Sequence, residues 1–306
     1  MECKKPITLK AGGITVGCGQ CLQCLINKRR EWTSRIILES KNHDKNSFVT
    51  LTYNPENLPT GETLVPSDIQ LFIKRLRKRY KNNAIRYYLV GEYGDTTSRP
   101  HYHLALFGYP SCSYGNTQYK LGVNNCCKAC DLLRDTWKKG NIDNGTLTLD
   151  SAQYIAGYVT KKMTKHDDPR LGGRYPEFAR MSLKPAIGAY SVDALSNVAN
   201  GKYKHRLVDV PKSIKHGGKS YPIGRTITEK LKATRWEKSK YTGWKYDEKL
   251  LQTKFEKAQE KNLRTLQEFE KANTSAQSLA EYEQQKRKQK ALNREAKHII
   301  YNNRKL

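Results

Sequence analysis

Apolar residues in the first half of the chain fall into short β-branched and aromatic runs, separated by stretches with helical spacing. Phe48-Val49-Thr50-Leu51-Thr52-Tyr53, stopped by Asn54-Pro55, predicts a strand. After a Pro/Gly loop, Ser67 to Gln70 has the form of a capping box, and Ile69, Phe72, Ile73, Leu76 and Tyr80 recur with helical period. Ala84 to Tyr93 reads as a second strand, Gly94 to Pro100 as a turn and His101 to Phe107 as a third strand. Leu132 to Lys138 predicts a helix closed by Gly140. Thr146 to Leu149 predicts a short strand, and Asp150 a cap for a helix from Ser151 to about Thr164. Upstream, Asn27 to Ser40 predicts a basic helix with Trp32, Ile36 and Ile37 on its apolar side.

The order β-α-β-β-α-β followed by a helix predicts an α+β fold. It is the ferredoxin-like, split βαβ arrangement, an antiparallel sheet with helices on one face. The chain divides into a Cys-rich segment with its basic helix (1–47), the sheet core (48–165), an irregular basic extension (166–228) and a charged tail (229–306). The tail is rich in Lys, Glu and Gln with little apolar periodicity, which predicts long solvated helix or a partly disordered arm.

Charge narrows the function. A formal net charge of +27 over 306 residues exceeds what solubility requires and implies a polyanionic partner. Nucleic acid fits, because clustered Lys and Arg gain binding free energy by releasing counterions condensed on phosphates. No apolar run reaches the roughly 18 residues of a membrane span, so no membrane partner is expected. Met1 to Lys10 lacks the apolar stretch of a secretory signal, and the eight cysteines therefore read as thiols of a reducing compartment, free or metal-bound.

His101-Tyr102-His103 puts two imidazoles on one face of a strand and Tyr102 on the other. If Glu92 of the preceding strand pairs opposite His101, its carboxylate shares their face. Two imidazoles and a carboxylate suit a catalytic divalent ion, Mg²⁺ or Mn²⁺. A plain pair of surface histidines would read the same way without Glu92 and the helix downstream. On that helix Tyr154 and Tyr158 are four residues apart, projecting from one face about 6 Å apart along the axis. Lys161 falls on the same face. Phenols at this spacing can pack a helix onto a sheet, but Ile155 and Val159 can serve as the packing face. A tyrosine suits reversible phosphodiester cleavage, because its phosphate ester conserves the bond for rejoining.

Phe48 to Tyr53, Arg99-Pro100-His101-Tyr102-His103 and Tyr154 to Lys162 resemble, in order, the three motifs of the HUH endonucleases that initiate rolling-circle replication. The resemblance extends to the initiators of microvirus, gokushovirus-like phages, whose N-terminal signature is similar to Cys18 to Cys24 running into Lys28 to Arg35. It implies that His101 and His103 bind the metal with Glu92 as third ligand, that Tyr154 and Tyr158 are the nucleophiles and that Lys161 assists them. It also implies a site-specific nicking-joining enzyme acting on single-stranded or replicative-form DNA at the phage origin. Host helicase and DNA polymerase would be its partners, in the cytoplasm of the bacterial host. Tyr102 departs from the pattern, filling a slot usually held by a bulky hydrophobe.

Cys18, Cys21 and Cys24 form one run and Cys127 and Cys130 a second C-x2-C. Cys18, Cys21, Cys127 and Cys130 could together hold a structural Zn²⁺ joining the two segments; unmetallated thiols are the alternative. Two other functions stay open at this point. One is a non-catalytic nucleic-acid-binding protein using the sheet as a stacking platform, and the other is a DNA-packaging protein acting through the tail.

Overall fold

The computed structural model describes residues 3–8, 15–80, 85–94, 97–118, 125–158, 168–202, 210–242, 248–272 and 274–303. Its elements in chain order are β1 (Ile7–Thr8), β2 (Thr15–Val16), α1 (Leu22–Ser40), β3 (Asn46–Thr52), α2 (Pro66–Arg79), β4 (Arg86–Tyr93), β5 (Pro100–Phe107), α3 (Lys128–Trp137) and β6 (Ile142–Thr146). There follow α4 (Leu149–Gly157), β7 (Phe178–Met181), α5 (Val192–Lys202), β8 (Ser213–His216), β9 (Lys219–Pro222), α6 (Arg225–Thr242), α7 (Glu248–Lys271) and α8 (Leu279–Asn303). Residues 29–195 and 212–231 form one compact unit, and residues 1–28, 196–211 and 232–306 another.

The first unit is built on a five-stranded antiparallel sheet in the order β6-β3-β5-β4-β7. Strands β3 and β4, joined through α2, do not pair with each other; β5 lies between them, which splits the βαβ unit. The same split recurs in β5-α3-β6, with β3 in the gap. The expected order of elements therefore holds, but the expected single helical layer does not. On one face Val49, Leu51, Leu89, Leu104 and Leu106 pack against Ile69, Phe72, Ile73 and Leu76 of α2 and Leu133 and Trp137 of α3. On the other, Tyr88, Val90, Ala105 and Phe107 pack against Ile36 and Ile37 of α1 and Ala152, Ile155 and Ala156 of α4. With both faces covered, β5 is buried on both sides, which is why Leu104-Ala105-Leu106-Phe107 is continuously apolar rather than alternating. Each large side chain so buried, such as Phe72, contributes about 1.5–3 kcal/mol.

Several expected boundaries shift for local reasons. Helix α2 starts at Pro66, whose missing N–H costs nothing at the first helical position, and no side chain caps it; the Ser67 box does not form. Helix α4 starts at Leu149 because Thr148, not Asp150, is its cap: the Thr148 hydroxyl accepts from Ser151 N, and the Ser151 hydroxyl accepts from Thr148 N. The short strand lies at Ile142–Thr146, held by its ladder to β3 despite its Asp, Asn and Gly. Residues 166–228, expected to be irregular, supply β7, which pairs with β4 from Tyr88 to Gly91. Helix α1 begins five residues before the expected Asn27 and carries Glu39, which is buried against Arg86 of β4 with Nε–Oε1 at 2.5 Å. The other Glu39 oxygen accepts from Gly188 N at 2.6 Å.

In the second unit the tail is helical over α7 and α8. Phe269 and Tyr282 stack with centroids 5.4 Å apart, and Lys286 pairs with Glu268 at 2.5 Å. Helix α8 also engages the start of the chain, through Gln23 Nε2 to the Ala291 carbonyl at 3.3 Å and Lys4 to Glu295 at 2.9 Å. Among the described residues no helix is long and apolar enough to cross a membrane.

Candidate active site

The β4–β5 ladder puts Glu92 opposite His101, and His103 two residues further along the same face. Tyr102, between them, points into the opposite layer and is fully buried there. Its polar tip is satisfied: the phenol accepts from Val65 N at 2.8 Å and meets the Tyr53 hydroxyl at 3.0 Å, so tyrosine fills a hydrophobic slot without an orphaned hydroxyl. The turn before β5 is pinned by Arg99, whose guanidinium donates to the Tyr53 carbonyl at 3.0 Å. Gly94 leaves room for the His101 ring, whose Cε1 would lie 3.0 Å from a Cβ added there.

Both imidazoles are oriented through Nδ1. His101 Nδ1–H donates to the Arg99 carbonyl at 2.7 Å. His103 Nδ1 is 3.0 Å from the Thr50 hydroxyl, and its Nε2 is 3.0 Å from Glu92 Oε1. A hydroxyl donated by Thr50 places the ring hydrogen on Nε2, from where it is donated to the Glu92 carboxylate. Engaging Nδ1 in this way fixes the ring and leaves Nε2 as the ligating atom, the arrangement typical of metal-binding histidines. Burial lowers the His101 pKa, which favours the neutral, ligating imidazole. Two Nε2 atoms and a carboxylate thus fit a divalent ion. Their spacing is open, however, because the described His, Cys, Asp and Glu groups whose ligand atoms all lie within 4.8 Å are two sets of cysteines.

Helix α4 brings Tyr154 and Tyr158 to the same place. Their rings meet edge to face with centroids 4.9 Å apart, and the Tyr158 hydroxyl donates to that of Tyr154. Both contact His103: Tyr158 stacks on the imidazole at 5.3 Å and 10°, and Tyr154 meets it edge-on at 5.3 Å and 85°. They differ in access. Tyr154 is 47% exposed, whereas Tyr158 is 7% exposed. Burial, the bond to Tyr154 and the Glu92 carboxylate push the Tyr158 phenol well above its ordinary pKa. Helix α4 is described to Gly157 with Tyr158 as its C-cap; Lys161 and the rest of the expected helix lie outside the described residues.

Three contributors were not singled out from the sequence. Thr50 orients His103 and is its register partner, so period-two reasoning on the first motif could have found it. Phe48, two residues before, stacks on His103 at 5.8 Å and 6°. Arg29 of α1 donates from Nε to the Gln153 carbonyl at 3.0 Å, laying a cation beside the tyrosine helix; nothing in the local sequence signals that contact.

The cysteines are grouped differently from the expected shared site. Cys18 and Cys21 cluster with Cys3 and Cys24, and Cys127 and Cys130 cluster with Cys112 and Cys126. Each C-x2-C finds its partners nearer in sequence, where closing the loop costs less entropy.

Comparison with known proteins agrees with the motifs. Residues 46–167 match a family of phage-type replication-associated proteins, described by its ORF2 member. The chain is 34% identical over 191 residues to replication-associated protein VP4 of Bdellovibrio phage phiMH2K, covering 60% of this chain and 59% of that one. It is 36% identical over 177 residues to replication-associated protein ORF2 of Spiroplasma virus 4 (55% and 54%), and 31% identical over 155 residues to replication-associated protein ORF4 of Chlamydia phage 1 (47% and 38%). The matches therefore span about three fifths or less of the relatives' lengths. No solved structure gives a significant match. The resemblance carried by the three motifs holds, and this chain is similar to the replication-associated proteins of microvirus-like phages.

Proposed function

We propose that this protein is an HUH-type nicking-joining endonuclease that initiates rolling-circle replication of a circular phage genome. The observation that carries the reading is the convergence of Tyr154 and Tyr158 on the ring of His103, which is itself bonded to Glu92. Two nucleophiles and a candidate metal site meet on one sheet face.

In this mechanism Glu92, His101 and His103 hold a divalent ion, Mg²⁺ or Mn²⁺, which when bound would polarise the scissile phosphate and offset charge on its oxygens. The phenolic oxygen of one tyrosine attacks phosphorus. The bond from phosphorus to the 3′-oxygen breaks, a 5′-phosphotyrosine ester forms, and the released 3′-hydroxyl primes a host polymerase. The second tyrosine cleaves the regenerated origin, and the old 3′-end closes the circle. Tyr154, the more exposed phenol, makes the first attack. Its hydroxyl receives the Tyr158 hydrogen bond, which stabilises the phenolate as its proton leaves. Lys161 is assigned the helper role by the family motif. Origin DNA, host helicase and host DNA polymerase are the partners, and the bacterial cytoplasm the setting. The rival stacking-platform function loses its basis, since helices cover both faces of the sheet.

The test incubates labelled single-stranded origin DNA with the protein and Mn²⁺ and resolves the products on a denaturing gel. A covalent protein–DNA adduct is expected, abolished by EDTA and by the double change Tyr154→Phe/Tyr158→Phe. An undiminished adduct in the double variant would overturn the assignment of nucleophiles.

A further inference from the structure

We infer that the chain holds two structural zinc ions, each in a closed four-cysteine site, one on Cys3, Cys18, Cys21 and Cys24 and the other on Cys112, Cys126, Cys127 and Cys130. All eight thiols are free, and within each set the four sulfurs lie within 4.8 Å of one another. A single tetrahedral zinc with Zn–S bonds of about 2.3 Å needs its sulfurs about 3.8 Å apart. Cys3 and Cys21 are separated by 3.8 Å, Cys112 and Cys126 by 3.6 Å, and Cys127 and Cys130 by 3.6 Å. An iron–sulfur cubane fits less well, because each thiolate then binds a different iron and the sulfurs spread beyond that spacing.

The surroundings are those of thiolate ligands. Cys18 N–H donates to Cys3 Sγ at 3.2 Å and Cys21 N–H to Cys18 Sγ at 3.3 Å, around Gly19 in a left-handed turn (φ 73°). In the second set Gln118 N–H donates to Cys126 Sγ at 3.4 Å, and the Asn144 amide to Cys130 Sγ at 3.6 Å. Hydrogen bonds of this kind orient thiolates and offset their charge. Four protein ligands leave no open position, so the sites are structural rather than catalytic.

The segments they hold have little else. Strands β1 and β2 are two residues each, and the first ion would staple them to the first turn of α1. The second ion would tie the insertion after β5 to the first turn of α3. That helix ends at Trp137, whose indole donates to the Thr52 carbonyl at 2.9 Å, and Thr52 is the register partner of His101. The second zinc thereby braces the strand beside the candidate active site.

Elemental analysis of the full-length protein, purified without chelator or added metal, tests this. Two zinc and no iron per chain are expected, and both zinc should persist in a His101→Ala/His103→Ala background. Cys3→Ser/Cys24→Ser and Cys112→Ser/Cys126→Ser should each leave one zinc. Should either pair prove insoluble, Co²⁺ titration of the stripped wild-type chain decides, with a tetrahedral thiolate spectrum saturating at two equivalents. One zinc per chain, stoichiometric iron, or a cobalt end point at one equivalent overturns the proposal. None of these outcomes depends on whether the protein cleaves DNA.

Discussion

Glu92 faces His101 across the β4–β5 ladder, yet it is His103, one step along the diagonal, that its carboxylate bonds, at 3.0 Å. The diagonal bond draws the two ligands into one corner, with the Thr50 hydroxyl locking the far side of the imidazole at 3.0 Å. Thr50→Val keeps the shape of the side chain and removes that lock. It should weaken Mn²⁺ binding, measured by calorimetry, by about 10–100-fold while leaving the thermal midpoint nearly unchanged. Unchanged affinity would mean that His103 is held by packing alone.

Unequal access at the two tyrosines sets an order for the chemistry. With Tyr154 exposed and Tyr158 buried with its pKa raised, Tyr154→Phe should slow the first nick of origin DNA by at least about 10²-fold, whereas Tyr158→Phe should chiefly impair strand closure. Single-turnover nicking and circle formation, followed separately, distinguish them. Equal loss of the first nick in both variants would contradict the order.

The buried Glu39–Arg86 pair anchors α1 to the sheet. Burial opposes the charge on Glu39, but hydrogen bonds from His43, Gly188 N and Arg86 outweigh it and hold the pKa below the ordinary 4.5. A carboxylate depressed in the folded state contributes stability above its unfolded pKa and loses it as pH falls through the lower folded value. Glu39→Gln should therefore cost about 3–5 kcal/mol near neutral pH, by leaving Arg86 buried without its partner, and should flatten the acid limb of the stability curve. Urea unfolding from neutral to acid pH measures both effects.

Gly140 approaches the end of β3 so closely that an added Cβ would overlap the Thr52 carbonyl oxygen. Gly140→Ala should lower stability by about 1–3 kcal/mol, since the obstacle is backbone and cannot rotate away. Because Thr52 pairs with His101, the variant should also lose metal affinity. Differential scanning calorimetry and metal titration of the same sample would show the two losses together.

How much of this could be read from residues alone depended on the range of the interaction. Glu92 was legible because a period of two and a short turn leave few registers for β4 and β5. The two tyrosines were legible because four residues make one helical turn. The cap of α4 was not, since Thr148 and Asp150 are equally good caps on paper and only the reciprocal bond with Ser151 decides. Neither was β6, whose Asp143-Asn144-Gly145 argues against a strand until β3 lies beside it. The second helical layer was missed because α1 was read as a basic DNA-binding surface, while Ile36, Ile37 and Glu39 of that helix are core. The cysteines failed for a similar reason. Two C-x2-C runs show that pairs exist, but whether they meet each other or Cys3 and Cys112 is decided by distant backbone.

Strand β7 lies beyond the segment that matches the replication-associated family, and it is what caps the β4 side of the sheet. Excising residues 46–167 alone would leave Tyr88 to Gly91 as a bare edge with unpaired amides and carbonyls, open to pairing with another copy. The same cut removes Glu39 and strands the buried Arg86. A fragment trimmed to the family boundary would thus be prone to aggregate, and the smallest self-sufficient nicking domain must take in both α1 and β7.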